Sequence, residues 1–374
     1  MRPLRHPSAS SGQAKSRALS QSHLCNQFYN QSNLVANTSG VAPVTDTALV
    51  NPRGLSRGSS SPWWAADNAT GVATLYNGAG AKLSVTVTIP AATSGVTGSP
   101  TGTIYNGSPT DFLLAPGTPA RFLFCTNDGL IVGWNNPTAG AITVVKTTDG
   151  SSYTGLTSAT VNGRRYLYAA NFTKGRVDVY NDAFQRVDWG EERFDDDWLP
   201  RNFVPFNVQT IGNDVVVTHA LHEDGDQSET DGPGLGFVDI YSADGRMQVR
   251  LEHGDWLNAP WGVALAPLDF GAFSHDLLVA WFAGGGTTQS SGYIAAYDLA
   301  TGRFKGLLED ASGNPIAING VWAISPGNSS PNNYDSAGAP AGELYFAAGP
   351  NRGAGGLFGY LTPVAAELIE GSDQ

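Results

Sequence analysis

Cysteine is almost missing from this chain: its 374 residues hold two, Cys25 and Cys125. No disulfide framework can therefore carry the fold. Cys125 falls inside an apolar strand, Arg121–Thr126, and reads as a buried core thiol, unbonded to Cys25. Basic charge is also short. Against 33 Asp and Glu there are 21 Lys and Arg, a formal net charge of -12, and a field of that sign repels phosphate backbones and anionic lipid. Nucleic acid and membrane surface are excluded as partners. No apolar run approaches the roughly 20 residues that a membrane helix needs, so no span is expected. There is no Gly-x-Ser-x-Gly elbow, His-Glu-x-x-His helix, phosphate loop or CxxC pair, and covalent catalysis has no support in the sequence.

What the chain has in quantity is turn formers and aromatics, with 46 Gly, 22 Pro and 10% Phe, Trp and Tyr. That composition suits many short strands joined by tight turns, an all-β class. Residues 1–24 carry Arg2, Arg5, Lys15 and Arg17 without an acid or an apolar core. They read as a disordered basic tail rather than a secretory signal. The last residues, 365–374, read as a polar tail.

Between the tails a pattern recurs six times: glycine, any residue, an aliphatic or small residue, two more, then an aromatic. The copies begin at Gly71, Gly129, Gly175, Gly236, Gly292 and Gly355 and end at Tyr76, Trp134, Tyr180, Tyr241, Tyr297 and Tyr360. Each is a turn feeding a strand, with glycine supplying the positive φ of a tight hairpin. Upstream of each lies a second strand, such as Trp63 to Ala66 or Leu344 to Ala348. Further upstream comes an innermost strand led in by a small or proline-containing turn: Pro52-Arg53-Gly54, Pro100-Thr101-Gly102, Tyr153-Thr154-Gly155, Pro205-Phe206-Asn207, Pro260-Trp261-Gly262 and Ile318-Asn319-Gly320. Five copies are followed by a more polar outer strand; the sixth is not. Gln27 to Ala36 is the right length to fill that place. The reading is a single six-bladed β-propeller over residues 25–364, closed by its own N-terminal strand, because closure removes the unpaired edges.

Particular stretches add a resemblance. Asn51-Pro52-Arg53-Gly54, Ala66-Asp67-Asn68, Ala169-Ala170-Asn171-Phe172, Gly232-Pro233-Gly234-Leu235-Gly236-Phe237-Val238-Asp239 and Leu257-Asn258-Ala259-Pro260-Trp261-Gly262 are among the residues that carry it. Over roughly Asn33 to Pro363 the chain resembles an uncharacterised family of bacterial propeller proteins, some of which end in a PEP-CTERM-type sorting tail. More loosely the ring is similar to the NHL-like group. The resemblance implies an extracytoplasmic or secreted protein and supplies no activity.

Two kinds of chemistry are conceivable. On a propeller, the turns leading into the inner strands share a face with the turns joining second and third strands. A ligand-binding face would thus gather Arg53, Phe206, Trp261 and Asn319 from the first set, and Asp67 and Asn171 from the second. An acidic insertion, His219 to Gly236, packs five carboxylates into nine residues. His219, His222, Asp224, Asp226 and Asp231 are its candidate ligands for a divalent cation, calcium foremost, although the calcium-hand order is broken at Glu229 and Leu235. The expected function is a monomeric scaffold that binds a protein, glycan or small ligand on its central face. The alternative is a metal-assisted hydrolase or lyase at the channel.

Overall fold

The computed structural model describes residues 28–364 apart from 139, 191, 224, 227, 283–290 and 328–341. The expectations for 1–24, Cys25, Gln27, Asp224 and 365–374 lie outside the described residues.

Five antiparallel four-stranded units and a sixth of five strands, whose edge strand Val44–Thr45 runs parallel to its neighbour, form the expected propeller. Blade one is Pro52–Ser56, Trp63–Asp67, Val72–Tyr76 and Lys82–Thr88, from the axis outward. Blades two to five repeat this order, with inner strands Pro100–Tyr105, Tyr153–Val161, Phe203–Ile211 and Pro260–Leu265. Inner strands contact one another in succession and Val321–Pro326 of blade six returns to blade one, which closes the ring. Of the six pattern glycines, Gly71, Gly129 and Gly175 have φ of 68°, 77° and 62°, a region costly for residues with a Cβ, whereas Gly236, Gly292 and Gly355 do not take a positive φ, contrary to the expectation.

Blade six is completed from the far end of the chain. Tyr29–Ala36 pairs antiparallel with Leu357–Pro363, from Tyr29 opposite Pro363 to Ala36 opposite Leu357. The second strands, Trp-Trp-Ala-Ala-Asp, Phe-Leu-Phe-Cys-Thr and Leu-Tyr-Phe-Ala-Ala, are buried throughout. Each blade is covered on both faces by its neighbours, so these strands do not alternate. Between blades six and one, Trp63 lies 4.5 Å from Tyr345 in a fully enclosed cluster. Burying one such ring removes roughly 150–250 Å² from water, on the order of 4–6 kcal/mol before entropy is counted.

One device recurs at the top of the inner strands. In each blade the register of the inner strand against the second shifts at the leading turn: between Pro52 and Gly54, Tyr153 and Gly155, Pro205 and Asn207, Pro260 and Gly262, Val321 and Ile324, and opposite Phe124 and Thr126 in blade two. Such a bulge re-aims the extra side chain. The sixth turn differs from the sequence reading. The inner strand of blade six starts at Val321, and the bulged triplet is Val321-Trp322-Ala323. Ile318–Asn319 instead pairs with Ser291–Gly292 in a separate two-stranded ribbon.

Candidate functional site

The six re-aimed residues are Arg53, Thr101, Thr154, Phe206, Trp261 and Trp322. They meet at the axis on what is here termed the upper face. Glycine at the third place of the triplet lets neighbouring inner strands come close enough: a Cβ on Gly54 would sit 2.3 Å from the Thr101 oxygen, and one on Gly262 2.3 Å from that of Trp322. Blade four replaces the glycine with Asn207, whose Nδ2 donates to the Trp261 oxygen at 2.6 Å.

Trp322 is the hub. Its ring stacks on Phe282 at 4.2 Å and meets Trp261 edge-on at 6.1 Å and Phe206 at 6.1 Å. Phe206 continues to Phe172 at 5.4 Å, and Phe172 to the His222 ring at 4.6 Å. Trp261 reaches over the axis, donating Nε1–H to the Thr154 oxygen. The upper end is therefore an aromatic plug drawn from blades three to six. Phe206, Trp261 and Trp322 are 1%, 5% and 1% exposed, so they close the axis rather than line a passage. Beneath them only about 10 Å³ is free, the lower limit for a single water.

On the lower side of the plug the axis widens into a funnel of about 400 Å³, lined by all six blades. Its apolar wall comes from Leu55, Ile104, Val263 and Ile324, and its polar groups include Ser56, Thr103, Ser158, Gln209 and Thr210. Some are already engaged. Thr210 and Thr157 share a hydrogen bond of 2.8 Å, and Arg165 donates to Ser158 Oγ at 2.9 Å. Ser56 Oγ and Thr103 Oγ1, on adjacent blades, are sealed from solvent without a protein partner. A buried hydroxyl left so costs about 1–3 kcal/mol.

The residues singled out from sequence fall into separate surroundings. Arg53, Phe206 and Trp261 converge on the plug through Trp322, which is not among the residues singled out from the sequence. The signal for it was present, since Val321-Trp322-Ala323 matches Pro260-Trp261-Gly262. Asn319 stands on the ribbon, its Oδ1 accepting from the Asn351 N–H at 3.3 Å. Asp67 is fully buried within blade one and accepts from the N–H and hydroxyl of Thr74 at 3.1 and 2.7 Å. Burial holds its carboxyl well above the usual carboxylate range. Asn171 is buried and donates to Ser151 Oγ and Asp178 Oδ2 at 2.9 and 2.7 Å.

Of the cation candidates, His219 is buried, with Nδ1 3.5 Å from Asp239 Oδ2. Burial pushes the imidazole down to about 3 and the Asp239 carboxyl up to about 7. His222 Nε2 is 3.0 Å from the Asp226 carbonyl, within its own loop. Asp226 and Asp231 are exposed. Among the described residues no three His, Cys, Asp or Glu side chains stand together as a metal would require; Asp224 lies outside them.

Fold and axis together define a six-bladed β-propeller with a plugged channel. No family model matches the chain. It is similar to uncharacterised proteins of Acanthamoeba polyphaga mimivirus: one is 27% identical over 340 residues, covering 88% of this chain and 84% of that protein. Another is 28% identical over 305 residues, covering 78% and 72%. A third match, 29% identical over 235 residues, takes in 60% of this chain and 42% of the relative's length. Among solved structures, the soluble aldose sugar dehydrogenase of Escherichia coli aligns over 90% of this chain and all of its own, at 11% identity and a TM-score of 0.52. Virginiamycin B lyase from Staphylococcus aureus aligns over 90% and 99% at 12% identity, with a TM-score of 0.46.

Proposed function

We propose that the protein is a binding scaffold whose ligand is a small, neutral, hydroxyl-rich molecule of the saccharide or polyol class, taken into the funnel below the plug. The observation that carries this reading is one cavity whose wall sets the partly exposed polar residues Ser158, Gln209 and Thr210 among the apolar Leu55, Ile104, Val263 and Ile324. Polar side chains there can bond a ligand's hydroxyls, and apolar walls between the polar groups suit the C–H faces of a sugar ring. The volume of about 400 Å³ lies within the usual range for small-molecule sites, roughly 300–1,000 Å³. Because the walls are inner strands of a closed ring, the site is held rigid and little ordering is needed on binding. On its resemblance to exported propellers we place this scaffold outside the cytoplasm, which fractionation of the native host checks.

The experiment is a saturation-transfer NMR screen of neutral mono- and disaccharides against the protein and its Gln209→Leu variant. Transfer to at least one sugar in the parent, lost in the variant, supports the reading. Transfer to none, or equal transfer in both, contradicts it.

A further inference from the structure

Arg53 is the one charged member of the six re-aimed residues, the others being Thr101, Thr154, Phe206, Trp261 and Trp322. Five blades make the same turn without a cation, so closing the ring does not require one. The guanidinium lies over the Trp322 ring, 4.6 Å from its centroid. Its Nε is sealed from solvent and has no hydrogen-bond partner among the described residues, while the residue as a whole keeps partial exposure. The charge that bears on it most is Glu229, from the acidic loop, and burial outweighs that effect, lowering the guanidinium below its ordinary value. A face-on ring compensates a partly desolvated cation only in part. Among the described residues the guanidinium has no carboxylate or hydrogen-bond partner, so a charge at the upper mouth is left open to a ligand or to solvent.

We propose that the upper mouth is an anion site that takes a singly charged organic carboxylate, its oxygens on Arg53 and its apolar body against the partly exposed Phe282 ring that stacks on Trp322. The carboxylate class follows from the charge count. Arg53 acts on Glu229 and Arg352 on Asp231, so the cations here are already matched in number by carboxylates, and a phosphate dianion leaves more unbalanced negative charge than a monoanion does. This site is separate from the funnel, since the plug of Phe206, Trp261 and Trp322 lies between them.

Benzoate, its neutral counterpart benzamide, and phenyl phosphate serve as probes, titrated calorimetrically into the full chain. Benzoate is expected to bind at least about tenfold more tightly than the other two, as loss of a charge-assisted bidentate contact implies. Arg53→Met, checked as folded by near-UV circular dichroism, should lose benzoate binding, and Glu229→Gln should strengthen it. Benzoate binding no better than benzamide, or undiminished in the Arg53→Met variant, overturns the site; tighter binding of phenyl phosphate overturns the carboxylate class. None of these outcomes bears on sugar binding in the funnel.

Discussion

The indole N–H of Trp261, on blade five, donates to the backbone oxygen of Thr154, on blade three, at 3.2 Å. Those blades are not neighbours in the ring; blade four stands between them. One side chain therefore ties two non-adjacent parts of the inner wall and helps make the propeller axis a blind cavity. Trp261→Phe keeps the ring and removes the donor, and should cost about 1 kcal/mol in urea unfolding. Trp261→Ala removes the packing too and should cost about 3–5 kcal/mol. A Trp261→Phe variant as stable as the parent would show that the Trp261–Thr154 bond contributes nothing beyond the shape of the ring.

Gly262 tests how tightly the inner strands are drawn together. An added methyl would meet the Trp322 backbone oxygen, 2.3 Å away, and neither partner can rotate aside. Gly262→Ala should destabilise by roughly 1–3 kcal/mol, the cost of overpacking. Gly163→Ala, at a turn where an added Cβ has nothing within 4 Å but φ is +77°, separates crowding from backbone strain. A larger loss at Gly163 would refute the close-approach argument.

His219 gives a pH signature. Its imidazole is held neutral down to about 3 by burial, whereas in the unfolded chain it protonates near 6.5. Below pH 6.5 the unfolded state binds the extra proton, so this group's contribution is full above that pH and is lost as pH falls towards 3. Asp239, raised to about 7 by burial, works in the opposite sense, so the informative quantity is the difference between variant and parent. Relative to the parent, His219→Gln should gain up to about 1.4 kcal/mol per pH unit between pH 6 and 4. A difference that stays constant over that window would mean that His219 does not titrate as the fold requires.

Arg53→Met replaces an unsatisfied cation with an apolar side chain of similar length. The variant should be as stable as the parent or more so, by about 1 kcal/mol or more, because removing an uncompensated buried charge relieves its desolvation cost. Thermal unfolding at neutral pH gives the sign directly. A clear loss of stability would mean that Arg53 holds the mouth together and is not kept for a ligand.

The parts of this architecture legible in the sequence were those set by local chemistry. Glycine must take the positive φ of a hairpin, so Gly71, Gly129 and Gly175 marked their blades, and the missing outer strand after Tyr360 pointed to the N-terminal strand that pairs there. The phase of the sixth inner strand was not legible, because Ile318-Asn319-Gly320 reads as a turn as readily as Val321-Trp322-Ala323 does; only the pairing of Val321 with Ala348 decides between them. The plug escaped notice for a related reason. Trp261 and Thr154 stand 107 positions apart, and nothing local shows that bulges aim both at one axis. The funnel is made from the middles of inner strands, where Ser56, Thr103 and Gln209 belong to no motif. The burial of Asp67 and His219 followed from neighbouring blades covering both faces, which removes the alternation that would have flagged them.

The claim that the plugged axis forms a ligand site is tested most directly by filling it. Gln209 lines both the funnel and the small space under the plug, and its side chain has no hydrogen-bond partner to lose among the described residues. Gln209→Trp places an indole in the cavity. Titration calorimetry of the best-binding sugar should show measurable affinity in the parent and none in this variant, with the variant's circular dichroism unchanged. Affinity retained at the parent's level would place the ligand elsewhere and contradict the account.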